Sequence, residues 1–530
     1  MGNHRSTAAL CLLVSTAFAH ADDWPADSGY VNVKSLGAKG DGVTDDTEAL
    51  QKAFRSEAVY LPSGTYLVRG LSFGGKRIDV QGTGTKTTTI RLKDGSPADE
   101  TLLLAPIPCA LRDFTVDIGS GNPRAIGVLA SHRLFLRNVD FRSSDPQQNG
   151  RAAVLVRNTA EMIVMSHVDI DGFDVGVSSD HCAAIVAAEH LALHHQGSAG
   201  IRRDDGLTAI RGLTSQQFKS PSVVGSGRLW LSDAYMGGIA EAAVDWKGPC
   251  YGRKMGTEGY RNSLKIDGEL DAEASVDEYI PKFKNPADAP KTGFTMAVEE
   301  TPELPTAGKW ISVKAHGAKG DGTTDDTAAI QKAIDVDEPI VYLPHGRYRI
   351  DGVVKLRGNL RRLCGMSSTI DGAGKGPMFR LEDGKPTTVT IERLNCEGVP
   401  GSALFEQASS RTWVLRSISA KRGFYGAEIA DPKLFLEDVR GPSLVCKGGT
   451  IYGRGVSTTF LGTGDAIGWW FGLESALVPR SPSRRSEFIG NVTTFDGDAW
   501  LSTVIFGEAR IGRSVSRGVT VDGLYAPPSK

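Results

Sequence analysis

The chain has 530 residues and carries 60 Lys and Arg against 62 Asp and Glu, a formal net charge of -2. That balance excludes the strongly basic surface by which proteins hold nucleic acid, and the length exceeds what one compact core serves, so two domains are expected. With 63 glycines, 7% aromatic and 23% charged residues, the composition is that of a turn-rich globular protein rather than a disordered one. After the N-terminus no apolar run is long enough to span a bilayer, so no membrane partner is expected.

Arg5 precedes the mainly apolar run Thr7 to Phe18, the small residues around Ala19-His20-Ala21, and then Asp22 and Asp23. This is the pattern of a secretory signal peptide over residues 1–21, cut after Ala19 or Ala21, with export to the periplasm or medium. Six cysteines remain in the mature chain: Cys109, Cys182, Cys250, Cys364, Cys396 and Cys446. They allow about fifteen disulfide pairings and none has the spacing of a metal site, so no metal and no cofactor are expected.

The next feature is an internal repeat. Val33 to Ala53 (VKSLGAKGDGVTDDTEALQKA) and Val313 to Ala333 (VKAHGAKGDGTTDDTAAIQKA) are identical at sixteen of twenty-one positions. The match resumes as VYLPSGTY from Val59 and VYLPHGRY from Val341. Each copy reads as a cap, with a strand, a glycine-rich turn, and a helix that Thr44 or Asp45 would N-cap, its apolar residues Ala49, Leu50, Ala53 and Phe54 falling at helical spacing. A phosphate-cradling loop is the competing reading. It lacks the Gly-Lys-Ser/Thr that should follow, and the carboxylates of Asp45 and Asp46 would repel the ligand.

Downstream of the first cap, similar segments begin at Leu111, Leu136, Met165, Ala188 and Ile210; downstream of the second, at Ile391, Leu415 and Leu436. A recurrence in the twenties with one short strand per repeat is the signature of a parallel solenoid. The expected architecture is all-β: two tandem right-handed parallel β-helices over residues 28–278 and 309–522, each with an N-terminal capping helix. Residues 279–308, rich in proline, form the connection, and 523–530 a C-terminal tail.

The phrases GAKGDGxTDDTxAxQ and VYLPxGxY resemble the opening of the pectate-lyase-like superfamily, to which polygalacturonases, rhamnogalacturonases and phage tailspikes belong. Two copies in one chain resemble the tandem β-helix exo-β-1,3-glucanases of glycoside hydrolase family fifty-five. That resemblance extends through Ala188 to Ser222, LSDAYMGG from Leu231, VDEYIP from Val276 and EETPELP from Glu299. It implies a polysaccharide partner, a β-glucan or related polymer, bound in a cleft where the two β-helices meet, with the catalytic acids on the second, around Ile451 to Trp500. Where relatives carry two glutamates, this chain has Thr459 and Ala476; Glu487 falls on a position where they also have glutamate.

Cofactor-independent glycoside hydrolysis needs two carboxyl groups, about 6.5–9.5 Å apart for inversion or about 5–5.5 Å for retention. Candidates are Asp465, Glu474, Glu487, Asp496, Asp498 and Glu508. Plain strand alternation sends Trp469, Phe471 and Leu473 to the core and Trp470, Gly472 and Glu474 outward, where a tryptophan could cover the flat face of a sugar. Glu474 and Glu487 are accordingly the expected catalytic acids, with Gln196, Trp470, Asp465, Asp496 and Asp498 binding substrate. Two alternatives stay open: a non-catalytic polysaccharide-binding relative, and a lyase on a uronate polymer. Mass spectrometry of the secreted protein should find a mature N-terminus at His20 or Asp22; an intact Met1 from a secreting host would refute the leader.

Overall fold

The computed structural model describes residues 24–144, 150–180, 182–271, 275–279, 298–305, 309–374, 376–397, 404–421, 425–427, 432–445, 448–462, 467–478, 486–495, 503–511 and 514–520. The described chain is a nearly all-β parallel solenoid with two α-helices, α1 (Thr47–Ala53) and α2 (Thr327–Ile334). Leu111, Leu136, Met165, Ala188, Ile210 and Leu231 occupy one column of in-register rungs. Ile391, Leu415, Leu436 and Gly453 do the same further along. Among the described residues no ladder joins a strand before Tyr279 to one after Trp310, so the coils form two stacks. Among the described residues the last strand of each stack is reversed: Ser275–Tyr279 and Ser514–Thr520 pair antiparallel with their neighbours.

The repeated motif is explained by contacts between its halves. Asp46, the residue that precedes α1, does not cap the helix with its side chain; its carboxylate turns back to accept from the amides of Lys39 (2.6 Å) and Gly40 (2.9 Å). Asp326 does the same with Lys319 and Gly320. Asp45 binds the first helical residue, Thr47, through its amide and hydroxyl, whereas Thr44 serves the preceding turn by bonding Asp41. Gly40 has φ +63, and a Cβ there would lie 2.9 Å from the Tyr66 ring, while its carbonyl receives the Thr65 amide. GDG and PxGxY are thus two sides of one close-packed corner.

Most of the long strands among the described residues are two short strands joined by a residue in the left-handed region. In the first stack this residue is Asp113, Asn138, His167, His190, Gly212, Asp233 and Lys254; in the second it is the pair Met366 and Ser367, then Arg393, Ser417, Asp438, Gly455 and Gly472. The corner resets side-chain alternation. Leu111 and Phe114 both point inward, as do Leu136 and Val139, Leu415 and Ile418, and Trp470 and Leu473. Inward positions flanking the corner are therefore three apart, not two.

Each stack encloses its own apolar core, and a third apolar cluster lies between them, where Phe135, Ala187 and Trp230 meet Phe435, Tyr452 and Trp469. Outward residues just before the corners make this interface ionic as well as apolar. Arg416 donates to Glu437 (2.8 Å), Arg137 from the facing stack bonds the same carboxylate, and Arg454 reaches across to Glu189 (2.6 Å), which Arg211 also holds (2.7 Å). Cys109, Cys182, Cys250, Cys364 and Cys396 are buried free thiols rather than disulfides.

At Gly455 and Gly472 the stacks approach so closely that a Cβ would sit 2.8 Å from a side-chain carbon of Val164 or of Ala187. Gly472→Ala, at φ +64, should therefore lower stability by about 1–3 kcal/mol, read as a lower denaturant midpoint; an unchanged midpoint would contradict this packing. Burial works to raise the pKa of Glu437, but Arg137 and Arg416 outweigh it and hold the group down at about 2. A carboxylate lowered on folding contributes stability that is complete above its unfolded value, about 4.3, and is lost as pH falls toward the folded one. Glu437→Gln should cost about 3–5 kcal/mol at neutral pH and flatten the dependence of melting temperature on pH between about 5 and 2.

Candidate functional site

The corners that set the core also shape a groove. Along one edge of the interface the second stack's corner column, Ser367, Arg393, Ser417 and Asp438, faces Asp79, Arg112 and Arg133 of the first across a cavity of about 260 Å³. A left-handed residue projects its side chain from the bend between two strands, so successive corners line one wall of the cavity. Two residues further on, Asn395, Ser419 and Arg440 form the adjoining rim. The same outward column continues as Ser457 and Glu474 on the next two rungs, at about 4.8 Å per rung.

Charged side chains from both stacks meet in the cavity. Arg112 bonds Asp79 and donates to Ser417 Oγ (2.6 Å), with its guanidinium 5.1 Å from the Phe135 ring centroid. Asp79 also accepts from Tyr30 (2.9 Å) and Ser367 (2.8 Å). Arg133 donates to Asp438 (3.1 Å) and to the Gly455 carbonyl (2.8 Å). Arg393 donates to Gln81 (2.5 Å) and lies over the Trp24 ring. Burial pushes both acids upward, but Arg112 and Arg393 bring Asp79 below the usual carboxylate range, whereas Asp438 stays raised because burial outweighs Arg133 and Arg112. Two carboxylates in one cavity thus differ in their tendency to hold a proton.

The sequence-derived site residues separate. Glu474 is exposed on the rim column and accepts from Ser457 Oγ (3.0 Å). Trp470 is 0% exposed inside the second core, contrary to the expected outward position. The corner at Gly472 resets alternation, and Gly453 and Gly468 leave room for the indole. Trp469 and Phe471 instead face the first stack. Gln196, expected at substrate, is 1% exposed; its amide nitrogen donates to the carbonyls of Ile170, Gly172 and His194, and its oxygen accepts from Gln217. A side chain so occupied closes a turn, so it is not available to sugar. The backbone of Glu487 pairs with Trp469, while Glu474 pairs with Val492, so register puts the two glutamates on either side of the corner. The Glu487 and Glu508 side chains, Asp465, Asp496 and Asp498 lie outside the described residues.

Asp79, Arg393 and Asp438 were not singled out from the sequence. Arg393 and Asp438 occupy the corner position of IERLN and LEDVR, third in the four-residue spacing that ends on an apolar residue. The sequence signal for a corner is this spacing of three, instead of two, between inward apolar residues.

The sequence matches the family described as Rhamnogalacturonase A/epimerase, pectate lyase-like, over residues 30–208 and 310–415, one segment on each repeat. A glucan 1,3-beta-glucosidase of Cochliobolus carbonum is 22% identical over 439 residues, covering 67% of this chain and 56% of its own, so the chain spans about half of that relative's length. A preneck appendage protein of Bacillus phage PZA is 31% identical over 130 residues, 21% of this chain and 15% of its own. The N-terminal fragment of the bacteriophage Phi29 gene product 12 structure aligns over 94% of this chain and 97% of its own, with 12% identity and a TM-score of 0.33. With both repeats matched, over more than half of its length, the chain belongs to the rhamnogalacturonase A/epimerase, pectate lyase-like family.

Proposed function

We propose that this is an exported polysaccharide-active protein that hydrolyses a glycosidic polymer laid along the groove between its coil stacks, with Glu474 as the acid at the rim. Residues 28–278 and 309–522 are the two units in this reading, 279–308 their connection, 523–530 a tail. The observation that carries it is the column Asn395, Ser419, Arg440, Ser457 and Glu474, which continues the cavity rim to an exposed carboxylate. The glucan 1,3-beta-glucosidase similar over two thirds of the chain supports a polysaccharide substrate. Glu487, one strand further on, is the second acid to test, since hydrolysis requires a partner for Glu474.

A second reading, binding without cleavage, is favoured by a specific observation. The acids inside the cavity, Asp79 and Asp438, are engaged by Arg112 and Arg133, and the Thr459 hydroxyl is turned to the Pro442 carbonyl. A product assay over laminarin, polygalacturonate and alginate separates the two. Release of reducing ends by the wild type, lowered about 10²-fold in Glu474→Gln with melting temperature unchanged, is expected. Unsaturated products absorbing in the ultraviolet would replace hydrolysis with a lyase reaction. Binding without any product would favour the non-catalytic reading, and absence of both binding and cleavage would overturn the proposal.

A further inference from the structure

Around Glu189 and Glu437 the charge between the stacks does not balance by itself. Four arginines share the two carboxylates: Arg416 and, from the facing stack, Arg137 meet on Glu437, while Arg211 and, from the facing stack, Arg454 meet on Glu189. Each set of three is left with one surplus positive charge. All four arginine side chains are 16% exposed or less, so water cancels little of that surplus. Residues 298–305 supply what is missing, giving each arginine one further acceptor. Glu300 accepts from Arg211 (2.6 Å) and lies 3.1 Å from His190 Nε2, and Glu303 stands 4.0 Å from Arg137. The backbone carbonyls of Glu299 and Pro302 receive Arg454 (2.7 Å) and Arg416 (3.5 Å). The Glu299 carboxylate also accepts from Lys433 (2.5 Å), and Val298 packs on the apolar cluster between the stacks.

One short segment thus grips both stacks, Arg137, His190 and Arg211 on the first and Arg416, Lys433 and Arg454 on the second. Its acids are not buried as the arginines are: the side chains of Glu299, Glu300 and Glu303 are 50–58% exposed. Ion pairs that solvent reaches from one side are screened by salt, whereas the pairs on Glu189 and Glu437 beneath them are screened much less. We propose that residues 298–305 are an electrostatic latch that keeps the two stacks docked and that salt loosens. The groove takes one wall from each stack, and the latch lies by the corners of the first stack, on the edge away from it. Release of the latch would therefore part the walls of the groove without any contact with what the groove holds, which makes the latch a control on that site.

Thiol labelling of the full chain, read peptide by peptide by mass spectrometry, tests this in a Val414→Cys background. Val414 belongs to the apolar cluster between the stacks and is 0% exposed, so a thiol there reacts only when the stacks part or a coil unfolds. Cys250 and Cys396, buried in the first and second cores, report unfolding of either coil. Glu300→Gln combined with Glu303→Gln should speed labelling at position 414 about three- to tenfold at low salt, with Cys250 and Cys396 unchanged. High salt should bring the parent toward the rate of the double variant and move the double variant less. The same comparison with Ala209→Cys, in the cluster on the first stack's side, should give the same ratio, which guards against a local effect of either probe. An unchanged rate at both probes in the double variant, or a parent rate indifferent to salt, would overturn the latch. Labelling of Cys250 or Cys396 in step with the probes would overturn it too, since the acids would then steady the coils rather than their docking.

Discussion

A left-handed residue at the same place in successive coils is the constraint from which the core, the interface and the groove all follow. Such a conformation costs an L-amino acid roughly 1–2 kcal/mol, yet it recurs at aspartate, asparagine, histidine, serine, arginine and lysine as well as glycine. The ladders on both sides offset the cost, because each corner is held between strands paired above and below. Once the corner is set, the residue before it points out of the coil toward the other stack, and the residue after it points into the core. The corner side chain itself stands at the edge of the interface.

That geometry explains why so much charge is buried between the stacks. The outward positions before the corners include Arg112, Arg137, Glu189 and Arg211 on one side and Glu392, Arg416, Glu437 and Arg454 on the other. Each ion loses several kcal/mol of hydration on burial, so the interface tolerates them only as sets of opposite charge. Arg454 and Arg211 meet on Glu189 and both lie near the Trp469 ring. Such pairs contribute little net affinity against an apolar contact, but they specify one register of stack against stack.

The repeat, the solenoid and the two caps were legible in the sequence because they are written as near-identical motifs and as apolar positions recurring in the twenties. The direction of individual side chains was less so. Trp469 to Glu474 looks like plain alternation, and only Gly472 betrays the corner that turns Trp470 into the core and leaves Glu474 outside. The burial of Gln196 is not visible in the sequence because its carbonyl partners are the strand residues Ile170 and His194 with Gly172, and the neighbouring coil that carries two of them meets it only in three dimensions. The groove was unreadable for a related reason: Asp79 and Arg393 lie more than three hundred residues apart in the chain and meet only across the interface.

The ends of the stacks carry a different consequence. A parallel coil presents a full set of unpaired backbone groups at each terminus, and an identical coil from another molecule would fit it rung for rung. Here α1 and α2 sit with the opening strands of the two stacks, and the last described strand of each, Ser275–Tyr279 and Ser514–Thr520, runs backward. A reversed last strand cannot template the next parallel coil. Growth in parallel register is thereby disfavoured at these two strands.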